Sequence, residues 1–311
     1  MGRTSRVAGR LSELQAAANR EEIFKLTLVA PLQLLLWFLL IIPTLIVLYL
    51  SLVNWQPIMG VDWWQAPWAW LANYGRVVRD ARFWEALQRT LGLVLAAVAL
   101  EFLLGLGLAL LLSREFPGKR VLTSVLLYPM MLPWVVVGLV FYLLFLERGP
   151  VNYIIALLFG SQAPFDWYAH PLSALGVVVL ADVWQWTPFM FLILYSGLGA
   201  LPREPQEAAM TLGATSGQIF RYIVLPLLRP VIIVALVIRA LEAFKIFDLV
   251  FIITRGGPGT ATESMSLYIY LLSAVYGQLS YAAAMAVLIL ILIAMVTRLA
   301  ITQFERREMP A

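Results

Sequence analysis

The chain contains no cysteine and a single histidine. Without cysteine there is no disulfide, no thiolate nucleophile and no Cys-ligated zinc or iron–sulfur cluster. The histidine, His170, stands before Pro171 with no paired His and no Ser-His-Asp arrangement around it, so a solvated loop residue is expected rather than a catalytic base or metal ligand. A Gly-x-x-x-x-Gly-Lys-Ser/Thr loop is also missing, and with it any visible means of binding or hydrolysing ATP. No Gly-x-Ser-x-Gly elbow occurs. Charge is scarce as well, at 13%, about half of what an ordinary soluble domain carries. These absences speak against an enzyme and exclude a water-facing globular exterior.

What remains is apolar. Of 311 residues 62% are hydrophobic and 13% aromatic, and the mean hydropathy is +0.86. Such a chain is too apolar to be disordered, and its natural solvent is a bilayer. The net charge of +4 could suggest nucleic acid, but the 22 Lys and Arg fall in short flanks between apolar runs and form no continuous basic face, so no nucleic-acid partner is expected.

A bilayer crossing needs about 20 predominantly apolar residues. Six stretches meet this, at 29–51, 90–112, 121–146, 172–199, 230–253 and 281–302, which predicts an all-α bundle of six transmembrane helices. Residues 1–28 read as a basic N-terminal segment, 29–302 as the membrane domain and 303–311 as a tail. The first span is long and lacks a small-residue cleavage site, so it reads as an uncleaved anchor. A shorter stretch, Tyr268 to Val275, rich in Tyr and Ser, reads as an interfacial helix.

Charge orients the bundle. With the N-terminus in the cytoplasm, fourteen Lys and Arg fall inside, among them Arg3, Arg114, Lys119, Arg203 and Arg306, against six outside: Arg76, Arg79, Arg82, Arg89, Arg148 and Arg255. Arg239 and Lys245 lie within a span. Both ends are therefore expected in the cytoplasm. The first outer loop carries Trp55, Trp63, Trp64, Trp68 and Trp70, rings suited to the headgroup interface.

The cytoplasmic segment between the fourth and fifth spans holds the most specific pattern. Glu207-Ala208-Ala209, three residues, Gly213, nine residues, Ile223, one residue, then Leu225-Pro226 reads as two short helices joined by a turn. Pro205 suits a first helical turn, and Gly213 can take the left-handed conformation that ends a helix. Ala208 and Ala209 give a low-relief face that a second protein can approach closely. Ile219, Phe220, Ile223 and Val224 supply the apolar stripe of the second helix.

Residue type and spacing here resemble the EAA loop of ABC importer permeases, completely at these positions. Asn73-Tyr74, Asp80, Phe83-Trp84, Thr90, Ala243–Asp248, Thr254–Gly259 and Tyr281–Ala284 are similar to the maltose-type sugar permease branch, so the likeness runs over about residues 29–302. The resemblance implies the type I importer permease fold and a non-catalytic, multi-pass subunit of a bacterial or archaeal plasma membrane. It implies a homologous second permease, two ABC ATPase subunits docking one per permease, on loop 201–229 in this chain, and an extracytoplasmic sugar-binding protein. ATP and Mg would be bound by the ATPases, and this chain would hold no cofactor.

Ionisable groups within spans are costly and so mark function or pairing. The fifth span has Arg239, Glu242, Lys245 and Asp248, three apart and alternating in sign. The fourth has Asp182, Trp184, Gln185, Trp186 and Thr187 before Pro188, at similar depth. Indoles stack on sugar CH faces, and Gln and Asp bond hydroxyls, so the fourth-span group points to a ligand. For Arg239 with Glu242, a structural pair between helices and a place on the substrate path stay equally open. Glu101 has no polar company in sequence, and Gly105, Gly107 and Ala109 after it suggest close helix packing. A di- or oligosaccharide such as maltose or trehalose is the expected substrate. Glycerol phosphate or a polyol, or an ion-coupled secondary transporter using Asp182 or Glu242, are the alternatives.

Overall fold

The computed structural model describes Phe24, residues 27–160 and residues 164–308. The basic segment 1–28 therefore falls almost wholly outside the described residues, as does the end of the tail. Among the described residues the chain is helical, with no named strand and one isolated bridge, Val53 to Trp68. Five helices are long and apolar enough to cross a membrane, or six when one bent pair is taken as a single span.

The first crossing is α1, Thr27–Leu52. A short surface helix, α2 at Ala72–Arg79, leads into α3, Ala81–Leu112. The reversal between them follows from Asp80, which is extended and whose carboxylate accepts the Arg82 amide proton, capping α3. The third crossing is not the straight span expected at 121–146. It is split into α4, Lys119–Met131, and α5, Trp134–Leu144, bent by 96° at Leu132-Pro133. Proline supplies no amide proton and disfavours helical geometry in the residue before it, which accounts for the break. After α6, Pro150–Phe159, the fourth crossing α7 runs unbroken from Pro171 to Gly199 and keeps Pro188 within it.

The fifth crossing also departs from its expected bounds. Helix α9 runs Ser216–Phe244, stops, and restarts after three residues as α10, Asp248–Ile253. The second helix of the loop and the fifth span are thus one element. Helix α11, Met265–Val275, contains the stretch read as interfacial, and its Met265, Tyr268 and Leu272 are buried in a cluster with residues of α3 and of the last helix. Helix α12, Leu279–Glu308, completes the bundle.

Helices α3 and α7 form the central packing pair. A Cβ on Gly105 would sit 2.9 Å from a Met190 side-chain carbon and 3.0 Å from the Phe191 amide nitrogen, so glycine is what permits this approach. Gly107 has nothing near it and plays no such part. Gly197 on α7 likewise faces Val231 and Leu228 of α9. Away from these seams large apolar side chains stay open, Leu95 at 74% and Leu103 at 63% among them. That exterior suits hydrocarbon, where water would have required polar cover.

Residues of the segments that resemble the permease branch help to hold the outer end together. Asn73 donates to the Ser51 and Val53 carbonyls at 3.0 and 2.9 Å, Ser51 bonds the Tyr74 hydroxyl at 2.7 Å, and the Met265 amide donates to Thr90 Oγ1 at 2.8 Å. Asp80 accepts from both Tyr268 and Tyr281, at 2.6 and 2.7 Å.

Candidate functional site: a buried charge cluster and a cytoplasmic loop

The cytoplasmic loop is built from local conformations. Helix α8, Glu204–Thr211, begins with Pro205 in its first turn and carries Glu204 and Glu207 there, where carboxylates suit the positive helix end. It ends at Gly213, with φ of +82°, and the Ala214 amide closes back on the Ala209 carbonyl at 3.0 Å. Thr215 then caps α9 in a reciprocal box with Gln218.

Glu207 and Ala208 are exposed, and so are Met210 at 60% and Leu212 at 88%; Ala209 is half-buried. Apolar side chains held out on a polar loop invite a protein partner. Glu207, Gln206 and Met210 also border a cavity of about 470 Å³ reaching Lys119 and Tyr195.

Ile223 is half-buried and Val224 buried, tying the start of α9 to the bundle. Residues Phe220–Val224 form one wide π-helical turn in which the Leu225 amide bonds the Phe220 carbonyl. This widening precedes Pro226, whose ring would crowd the carbonyl four residues back in a regular helix.

Within the membrane the structure regroups the charged residues. Arg239 of α9 is fully buried and donates from Nε to Glu101 Oε2 at 2.7 Å and from Nη2 to Glu101 Oε1 at 2.8 Å. Its Nη2 also bonds Asp182 Oδ2. Arg239 is therefore joined to the second and fourth spans, not to Glu242 as the spacing suggested. Glu242 pairs instead with Lys245 at 2.8 Å, where both side chains reach solvent at the end of α9. Asp248 is exposed at the start of α10. Neither Glu242, Lys245 nor Asp248 reaches the buried cluster.

The fourth-span residues divide similarly. Gln185 is buried and its amide donates to the Leu132 carbonyl at 2.9 Å, filling the acceptor that the break between α4 and α5 frees. The Arg239 guanidinium lies over the Trp186 ring, 4.9 Å from its centroid, and Trp134 packs against the same indole at 5.3 Å. Trp184 turns the other way, 40% exposed and against Phe141. Four buried polar atoms in this small region have no hydrogen-bond partner: Asp182 Oδ1, Gln185 Oε1, Trp186 Nε1 and Arg239 Nη1. They are two donors and two acceptors, atom types that hydroxyl groups can satisfy.

Sequence reasoning missed Glu101 and Trp134. The signal for Glu101 was its position alone, a carboxylate deep in an apolar span, which demands a cation somewhere in the fold.

The profile of the family described as binding-protein-dependent transport system inner membrane component matches residues 101–309. The chain belongs to this family. It is a non-catalytic, multi-pass membrane permease subunit of an ABC importer, the class that the 207–226 pattern resembles. It is 37% identical over 243 residues to the trehalose/maltose transport system permease protein MalF of Thermococcus litoralis, covering 75% of this chain and 81% of that one. It is 33% identical over 278 residues to the sulfoquinovosyl glycerol transport system permease protein SmoG of Agrobacterium fabrum, with 89% of each covered. A solved bacterial ABC transporter that imports the acidic polysaccharide alginate shares the fold, with a TM-score of 0.79 at 19% identity over 96% of this chain and 100% of that one.

Proposed function

We propose that this permease subunit conducts a di- or oligosaccharide of the maltose or trehalose kind and forms half of the path with a homologous second permease. Two ATPase subunits would dock on the permeases, one at the loop built by α8 and the start of α9, and a binding protein would deliver sugar from outside. The names of the relatives support a carbohydrate. The observation that carries the reading is the group of unpartnered atoms on Asp182, Gln185, Trp186 and Arg239 beside two indole faces. A pyranose offers this group hydroxyls to bond and a CH face to stack.

The cations speak against a phosphorylated cargo. The charge of Arg239 is matched by two carboxylates and that of Lys245 by Glu242, so neither offers an uncompensated positive charge to a phosphate. Family membership gives the ion-coupled alternative no support.

Coupling follows from α9. Arg239 lies 23 residues after Ser216 on one helix, about 35 Å along its axis. ATP-driven movement at the loop is thereby carried to the charge cluster, and the path alternates between outer and inner access.

The test is uptake of labelled maltose and trehalose by the reconstituted complex, with the binding protein screened against sugars and sugar phosphates. Trp186→Ala and Gln185→Ala should each lower uptake about 5- to 150-fold if the lost contact is buried, with binding-protein affinity unchanged. Normal uptake by both variants, or a binding protein selective for phosphorylated ligands, would overturn the reading.

A further inference from the structure

On the side that the basic residues assign to the exterior, α2, the start of α3, α11 and the start of α12 enclose a cavity of about 820 Å³. Its wall carries Arg76, Arg79 and Arg82. Arg82 forms a bidentate pair with the buried Glu263, at 2.9 Å from Nε and 2.5 Å from Nη2. Arg76 uses one amino group on Gln278 at 2.9 Å and lies over the Tyr281 ring at 3.9 Å, leaving other N–H groups free. Asp80 already accepts from Tyr268, Tyr281 and the Arg82 amide. Arg79 is exposed and makes no hydrogen bond or ion pair among the described residues. Glu263 is thus taken by Arg82, with Arg89 4.0 Å away, and Asp80 by hydroxyl and amide donors, so neither carboxylate pairs with Arg76 or Arg79.

The surroundings indicate what neutralises them. Leu71 and Val78 on either end of α2 are 71% and 55% exposed. Trp63, Trp64, Trp68 and Trp70, on the loop before α2, are exposed too, and Trp84 just after it anchors its indole N–H on the Val78 carbonyl while its ring stays open. Open indoles flanked by polar loops collect at headgroup depth. The arginines on this wall are then at the level of lipid phosphates, and a guanidinium fork matches two phosphate oxygens.

We propose that this cavity is a binding site for the phosphodiester headgroup of an anionic outer-leaflet lipid, held by Arg76 and Arg79. Acyl chains would run down past Leu71 and Val78. The site is independent of which substrate is carried.

The assembled transporter, reconstituted in phosphatidylcholine nanodiscs containing phosphatidylglycerol with a photoactivatable headgroup, tests this directly. Label should map to residues 71–82. It should fall about fivefold in Arg79→Gln and about thirtyfold in Arg76→Gln/Arg79→Gln, and persist in Arg79→Lys, since each basic residue near a lipid surface contributes comparably. Arg79 touches nothing that holds the fold, so its single variant reads the site even if the double variant fails to assemble. Unchanged labelling in Arg79→Gln overturns the proposal. So does competition by inorganic phosphate, which would mean a free-anion site, or by the substrate-binding protein, which would mean a protein-docking surface.

Discussion

Arg239 on α9 and Glu101 on α3 form a bidentate ion pair, at 2.7 and 2.8 Å, with both side chains wholly excluded from solvent. Asp182 of α7 closes the arrangement from the other side. Three crossings are joined by one guanidinium, in a medium where an unmatched charge is very costly.

Removing the cation should therefore hurt more than removing one anion. Arg239→Met strands two buried carboxylates and should cost about 3–5 kcal/mol. Glu101→Gln leaves Asp182 in place and should cost less. Melting midpoints of the purified variants in detergent check the order, and Arg239→Met/Glu101→Leu/Asp182→Asn should recover much of the loss.

Gly213 should tolerate Asn better than Val. A Cβ there meets no atom within 4 Å, so the penalty is purely that of the positive φ, about 1 kcal/mol or more for a β-branched residue and less for Asn. Gly213→Val should lower transport per ATP hydrolysed, Gly213→Asn only slightly, and Glu207→Ala should weaken retention of the ATPase subunits on purification.

Gln185 should be separable from Trp186. Gln185→Ala leaves the Leu132 carbonyl without its donor, so it should lower both the melting midpoint and uptake, at about 1–3 kcal/mol. Trp186→Phe keeps a ring beneath Arg239 and removes only an N–H that bonds nothing in the protein, so uptake should fall with little change in stability. Parallel melts and uptake assays decide it.

The Asp80 clamp should be acid-sensitive in one direction. Burial pushes this carboxyl up, but hydrogen bonds from Tyr268 and Tyr281 and the Arg82 and Phe83 amides outweigh it and hold the pKa below the ordinary 3.8. A group lowered in this way adds stability above its unfolded pKa, and that share is lost as pH falls through the folded value. The difference in melting midpoint between wild type and Asp80→Asn should be constant from neutral pH to about 5 and shrink below about 4.

Topology is best tested at Gln65 and Ser216, both exposed in this Cys-free chain. Gln65→Cys should react with an impermeant maleimide in intact cells and Ser216→Cys only after lysis. Thr262 would be a poor reporter, since it is 1% exposed and bonded to Thr254.

Hydrophobic run length was enough to find every crossing, because the bilayer imposes a length that few soluble helices meet. It did not reveal the break at Leu132-Pro133, since a bent span has the same composition as a straight one. The loop motif was readable because its turn depends on local conformations, at Pro205, Gly213 and the Thr215–Gln218 box. The charge cluster was only half readable. Arg239, Asp182 and Gln185 announced themselves by cost, but spacing along one helix proposed Glu242 as the partner of Arg239, whereas the true partner stands 138 residues away. Helical periodicity reports neighbours on one element and carries no information about which other element faces them.

The uninterrupted course of α9 from Ser216 to Phe244 also makes it a phase standard. One residue inserted between Ser216 and Arg239 would turn the guanidinium by about 100° relative to the coupling loop and shift it by about 1.5 Å, while about seven would nearly restore its direction two turns further along. Length in this segment is constrained in steps rather than continuously. The outer connections at 54–70 and 145–149 lie off this helix and transmit no such phase.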